Sequence, residues 1–350
     1  MAYQNVGTPR FYIDTLSWYK SLGLLDSSEP FQSEAFDFNP SNQLVQPSGD
    51  QHFIRFPIIP TNFYNLNFIA ILGHNFGNKH DIYVNLRYTD ETMFEIFTIN
   101  GVEGHATNIG GVNIVKDGTL PEFDGFSITT FNPVSTDGEI NRVSFNNQRD
   151  TEIMTVGACL LGTYYDMPHS PDLSLTMTRE YGGIKTIETK GGASLSNAFY
   201  TKPPMWGDHL AAWELHGTDS TPPNQKLSRS GSRVWDLSFS YLDSGDVFGS
   251  NQLISRFRTY GTIGTDGVDD ADTGAITDNF EYNILSDTNF YSQVIHKTNG
   301  GQLPFIFQPD KNDSNPGSGF AICKLDMKEF KFEQVANGVY NMKLKIREVW

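Results

Sequence analysis

Apolar and polar residues alternate over short runs throughout this chain, and the runs are punctuated by Gly, Asn, Asp and Pro. That pattern predicts strands and turns. Asn65–Leu72 (NLNFIAIL) is nearly continuous in apolar character, as in a strand buried on both faces. Asp81–Tyr88 alternates strictly, with Ile82, Val84, Leu86 and Tyr88 set against Tyr83, Asn85 and Arg87. His52–Ile59, Met93–Ile99, Gly125–Phe131 and Met154–Leu161 give further strands, followed by Asp172–Thr178, Ile184–Thr189 and Ala211–Leu215. The strongest signal is Arg233–Leu242, where Trp235, Leu237, Phe239 and Tyr241 alternate with Asp236, Ser238 and Ser240. Asn289–Ile295 fits a helix or a strand. Leu303–Gln308, Phe320–Met327, Phe330–Val335 and Val339–Trp350 complete the series. In the last of these, Tyr340, Met342, Leu344 and Ile346 face one way, and Asn341, Lys343, Lys345 and Arg347 the other.

One early helix is expected at Ile13–Leu25, capped by Asp14 or Thr15, with Leu16, Tyr19 and Leu22 on one face. The fold class expected is all-β: two β-sandwich, jelly-roll or split-barrel domains with a short N-terminal helix. At 350 residues the chain exceeds what one hydrophobic core usually serves. The expected division is an arm at 1–50, a sandwich at 51–170 and a second sandwich or barrel at 171–350. A long polar loop is expected at about 243–283.

Composition narrows the class. Forty-one acids against 25 bases give a net charge of −16, which disfavours nucleic acid and anionic lipid as partners. No apolar run is long enough to span a bilayer, so membrane insertion is not expected. Cys159 and Cys323 sit in apolar runs and read as buried free thiols, with a long-range disulfide as the alternative. The first residues lack a basic stretch followed by an apolar one, so the expectation is synthesis and folding in a reducing cytoplasm.

Enzyme templates are missing: there is no GxSxG, HExxH, Walker loop, CxxC or dinucleotide fingerprint, and no cofactor is expected. Gly261–Gly267 is Gly-rich but runs into acids rather than a lysine and a helix. Asp270, Asp272, Asp278 and Glu281 occupy four ligand positions of a twelve-residue calcium frame. Ala275 stands where the sharp turn wants glycine, so these four are only weak metal candidates beside a solvated acidic loop. His74, His80 and Asp81 lie close in sequence, but zinc needs convergence that spacing alone does not give; a turn or packing role is expected for His74 and Asn75. Trp18, Tyr19, Tyr164, Tyr165 and Trp206 supply aromatics for a core or for sugar stacking, with the core expected. The basic row Lys343, Lys345 and Arg347 suits protection of a sheet edge or docking to an acidic patch on another subunit.

FIAILGHNFGNKHDIYVNLRY, continuing to GACLLGTYYDMP, resembles the galactose-binding-like (discoidin-type) β-sandwiches of tailed-bacteriophage proteins. GGQLPFIFQPD and GFAICKLDMKEFKFEQVANGVYNMKLKIREVW resemble the closing strands of tail and baseplate proteins of such phages, and SGSRVWDLSFSYL fits an earlier strand of the same sheet. These likenesses extend over roughly two thirds of the chain. They imply a non-enzymatic virion component, made in the host cytoplasm. Its partners would be itself, as a homo-oligomer, and neighbouring tail proteins. A carbohydrate- or receptor-binding module meeting a host surface glycan is the alternative, and a β-sandwich polysaccharide hydrolase the third reading. No sugar-contacting residue carries over.

Overall fold

The computed structural model describes residues 6–23, 33–46, 51–60, 66–74, 82–88, 93–100, 105–108, 113–114, 126–130, 139–147, 153–198, 205–206, 231–248, 288–313 and 319–349. Among them the chain is all-β, and every strand pairing is antiparallel.

In chain order the strands begin with β1 (Arg10–Asp14), β2 (Leu44–Gln46), β3 (Gln51–Pro60), β4 (Phe68–Leu72), β5 (Ile82–Tyr88), β6 (Met93–Asn100) and β7 (His105–Asn108). Next come β8 (Asn113–Ile114), β9 (Ser127–Thr130), β10 (Glu139–Asn147), β11 (Met154–Val156), β12 (Ala158–Asp166) and β13 (Thr176–Glu180). The last are β14 (Ile184–Glu188), β15 (Ser194–Ala198), β16 (Ser232–Asp243), β17 (Phe305–Gln308), β18 (Ala321–Leu325), β19 (Phe332–Ala336) and β20 (Val339–Glu348). Helical pieces are few: α1 (Thr15–Ser21), a 3-10 turn (Ser33–Phe36), the single turn α2 (Ser244–Val247) and a π-helix (Tyr291–His296).

An 11-stranded sheet dominates, in the order β13-β16-β20-β18-β17-β1-β12-β4-β9-β8, with β19 paired to β20 beside β18. A 5-stranded sheet (β3-β10-β5-β6-β7) and two 2-stranded ribbons, β2–β11 and β14–β15, complete the pairings. The large sheet draws on all three expected divisions of the chain. β1, from the segment expected to be an extended arm, lies at its middle, hydrogen-bonded to β12 on one side and β17 on the other. The boundary expected near residue 170 is therefore spanned by one continuous sheet.

The central strands are buried on both faces. Phe11, Ile13, Phe305, Phe307, Ala321 and Cys323 join Trp235, Leu237, Phe239, Leu344 and Ile346 in one core. Their alternates Tyr12, Ile306 and Ile322 join Phe68, Ala70, Leu72 and Leu160 in the other. Continuous apolar runs such as FIAIL and FYI follow from this double burial, because none of these positions meets water. Both cysteines are buried free thiols, as their surroundings predicted.

The alternation read along β20 holds: Met342, Leu344 and Ile346 are buried and Lys343 is exposed. Along β16 it holds only to Phe239. The register shifts between Phe239 and Leu242, and Tyr241 takes φ +62°. This bulge turns Leu242 inward and leaves Tyr241 80% exposed.

Helix α1 is shorter than expected and begins at Thr15. Asp14 caps it, accepting from the amides of Leu16 (3.2 Å) and Ser17 (3.0 Å). Its buried face is Thr15, Leu16 and Trp18; Leu22, expected on that face, is exposed. The reason is geometric: the strand runs through Asp14, so the helix starts two residues later and its contact stripe rotates onto Trp18. The helix start lies close over β12 at Gly162, where a Cβ would come within 1.9 Å of the Ile13 carbonyl oxygen. Glycine is required there by contact, not by turn conformation.

The strand expected at Ala211–Leu215 and the 243–283 loop beyond residue 248 lie outside the described residues, as do Gly261–Gly267, Asn75, His80 and Asp81. So do Asp270, Asp272, Asp278 and Glu281.

Candidate functional site

Charged groups inside the protein serve first to tie strands together. Arg233, the second residue of β16, is buried and grips the buried Glu348 of β20: its Nη2 lies 2.7 Å from Oε1 and its Nε 3.1 Å from Oε2. Nη2 also donates to the Phe320 carbonyl (2.7 Å), and the Arg233 amide donates to Oε2 (2.8 Å). Three chain segments are joined by one ion pair with its hydrogen-bonding capacity largely filled. On the central strands, Arg10 of β1 meets Asp166 of β12 through Nε (2.5 Å) and Nη2 (2.9 Å) and stacks on the Tyr164 ring at 4.1 Å. Lys311 reaches the same carboxylate at 3.3 Å. Burial works to raise the Asp166 carboxyl, but Arg10 and Lys311 outweigh it and hold it below its ordinary value.

Lys297 is different. It follows the π-helix, is 1% exposed, and its Nζ donates to Gln293 Oε1 (2.8 Å) with Thr163 Oγ1 at 3.5 Å. No carboxylate pairs with it among the described residues, and burial lowers its pKa to about 8. Asp14 is the corresponding buried anion. Besides capping α1 it accepts from the Leu161 amide at 3.1 Å, and burial raises its carboxyl to about 6. His74 Nε2 lies 2.7 Å from Ser127 Oγ, with both residues buried; this is the packing role expected of His74. Among the described residues no three His, Cys, Asp or Glu side chains are grouped to hold a metal ion.

The outer surface carries the remaining chemistry. Of the predicted basic row, Lys343 is exposed, whereas Lys345 and Arg347 are half-buried and turned to acids of the same chain. Arg347 pairs with Glu180 of β13 and with Asp326 (3.0 Å); Lys345 lies 3.7 Å from Asp326. The edge-protection role is corrected by the topology. β20 has β16 on one side and β18 and β19 on the other, so its ladder groups are occupied.

Among the described residues the sheet ends at β13 on one side and at β8 on the other. Exposed large apolar residues lie near one of these ends, β13, in sequence: Leu173 before the strand, Tyr181 directly after it, and Ile187 and Leu195 on the following ribbon. Ile187 and Leu195 stand directly opposite each other across β14–β15, and are 66% and 61% exposed. Of the aromatics considered for sugar stacking, Trp18, Tyr165 and Trp206 are core residues. Tyr164 is partly covered and carries the Arg10 guanidinium on its face.

Arg233 and Glu348 escaped the sequence reading, yet their signal was present. Each occupies the apolar phase of its strand, two residues beyond Trp235 and Ile346 respectively. A charge in that phase points inward and needs a partner. Lys297 has no comparable signal, since its burial depends on a π-helix packed beside α1, with the Trp18 and His296 rings 5.3 Å apart. No protein-family model, curated protein or solved structure matches this chain.

Proposed function

We propose that this chain is a non-enzymatic structural protein of a tailed-bacteriophage virion, in the tail or baseplate, working by symmetric self-assembly and by docking to neighbouring tail proteins. On this reading its sheets form two sandwich or split-barrel units, the first galactose-binding-like. The observation that carries the reading is the run of exposed apolar side chains — Leu173, Tyr181, Ile187 and Leu195 — in the segment that holds β13, an end strand of the sheet among the described residues. A sheet edge flanked by uncovered apolar residues favours pairing with another chain. The inward charges support the same view: Arg233, Glu348 and Asp14 are spent on holding strands and a helix cap, as suits a rigid building unit.

Analytical ultracentrifugation with negative-stain imaging of the purified chain tests the proposal. Defined closed oligomers or short tubes are expected. A monomer at every concentration, or turnover of a polysaccharide, overturns it.

A second reading rests on Tyr241. The bulge holds this ring 80% exposed on a left-handed backbone, a costly conformation for a bulky residue. A ring presented this way suits stacking on a glycan. Wild-type binding on a glycan array that disappears with Tyr241→Ala is the supporting outcome.

A further inference from the structure

We propose that the β14–β15 hairpin is an assembly arm that lays its Ile187–Leu195 face on the β2–β11 ribbon of a second copy of this chain. The inference rests on the assembly reading above and gives it a donor and an acceptor.

The donor is a hairpin with no other strand beside it among the described residues. Lys185, Thr186, Ile187, Glu188, Leu195 and Ser196, which lie on both faces of the hairpin, are all exposed. A lone two-stranded hairpin is marginal in water, and directly opposed Ile and Leu side chains gain little while both remain wet. Yet the turn is firmly made. The Thr189 amide donates to the Ala193 carbonyl (2.9 Å), and the Ala193 amide donates to Thr189 Oγ1 (3.1 Å). An arm already folded loses less entropy on docking than a disordered one. It joins β13 through Gly182 and Gly183, both in left-handed conformation at φ +80° and +75°.

The acceptor is the other 2-stranded ribbon. Val45 pairs opposite Thr155, which places Ile153 diagonally beside Val45, and both are exposed. Exposed Asp37 and half-buried Glu34 precede the ribbon, and no Lys or Arg occurs between Lys20 and Arg55. The hairpin has the opposite character: Lys185 and Lys190 exceed Glu188 in a chain of net charge −16. An apolar pair on a hairpin with an excess of lysine thus complements an apolar pair that follows a segment carrying acids and no Lys or Arg. Both lie on each copy, and both stay exposed within one chain. A contact between two different patches is head-to-tail, and its repetition closes a ring or extends a tube.

Sedimentation velocity on the full chain, over a range of protein and salt concentrations, tests this. The double variant Ile187→Ser with Leu195→Ser is expected to raise the apparent dissociation constant by at least about tenfold, because two anchors lose their burial. Lys185→Glu with Lys190→Glu is expected to weaken association and to reverse its salt dependence. Neither pair should alter the near-UV circular dichroism, since these exposed side chains belong to neither core. A cysteine pair, Val45→Cys with Leu195→Cys, should give a ladder of disulfide-linked multimers that each single variant lacks. Oligomers of wild-type size and strength in the serine and glutamate variants, or no ladder, overturn the hairpin assignment and leave assembly standing. A wild-type chain that never associates overturns both.

Discussion

Arg233 and Lys297 are both cations sealed inside the protein, yet they are kept there in opposite ways. Arg233 faces a carboxylate in two-point contact and gives a further bond to a carbonyl, so its charge is balanced within hydrogen-bond distance. Lys297 faces only an amide oxygen and a hydroxyl, both neutral. Removing an ion from water costs several kcal/mol, and an opposite charge in good geometry offsets most of that. Where the partner is neutral the protein offsets less, and the lysine holds its proton less tightly. The pair shows that burial alone does not fix the consequence of a charge; the partner does.

The largest effect is expected from breaking the balanced site. Glu348→Ala should cost about 3–5 kcal/mol in chemical denaturation, because it strands the guanidinium. Replacing both members together, Arg233→Met with Glu348→Leu, should recover most of the loss. If the single and double variants are equally unstable, the carboxylate matters for packing rather than for charge.

Next is the unbalanced site. The folded pKa of Lys297 is about 8, below its ordinary 10.5, so folding favours the neutral amine. Its contribution to stability is present above pH 10.5 and lost as pH falls through 8. Relative to Lys297→Met, the wild type should therefore gain about 3 kcal/mol between pH 7 and pH 10.5. At neutral pH the methionine variant should be the more stable. Parallel stability curves for the two proteins would refute this account of the lysine.

Asp14 extends the comparison to an anion held by N–H and O–H donors. Its folded value of about 6 lies above 3.8, so protonation favours the fold. That contribution is full below pH 3.8 and is lost as pH rises through 6. Against Asp14→Asn, the wild type should gain on the order of 1–3 kcal/mol from pH 7 down to pH 4. Thermal melts of both proteins across that range check it. The smallest effect belongs to the surface: Lys345→Glu removes a pair with Asp326 in which each side chain is about 40% exposed, and should shift stability by less than about 1 kcal/mol. The monomer should remain folded.

Much of the strand content was legible because period-two alternation survives wherever one face is wet, as in β20 and in Trp235–Phe239 of β16. Two kinds of feature were not legible. RFYID was not expected as a strand: Arg10–Tyr12 fell in the arm and the expected helix began at Ile13, where Ile13 and Asp14 end the strand and begin the cap within two residues. Its central position depends on partners far along the chain, which no local pattern encodes. The bulge at Tyr241 likewise breaks a correct alternation without leaving a glycine to mark it. As for the candidate sites, the basic row was visible as a row, but its acids, Glu180 and Asp326, belong to other segments. The hairpin was half visible: its first strand, Ile184–Thr189, was expected, and only the fold shows Ile187 and Leu195 exposed opposite each other.

The place of β1 has a consequence for biosynthesis. Its cross-strand partners lie 156 and 296 residues downstream, so this segment leaves the ribosome long before either neighbour exists. Until β17 is translated, the two halves of the large sheet lack their common seam. Sequence separations of this size slow folding and prolong the lifetime of sticky, unpaired edges. Nascent chains stalled before residue 300 should therefore depend on chaperones far more than the released protein does.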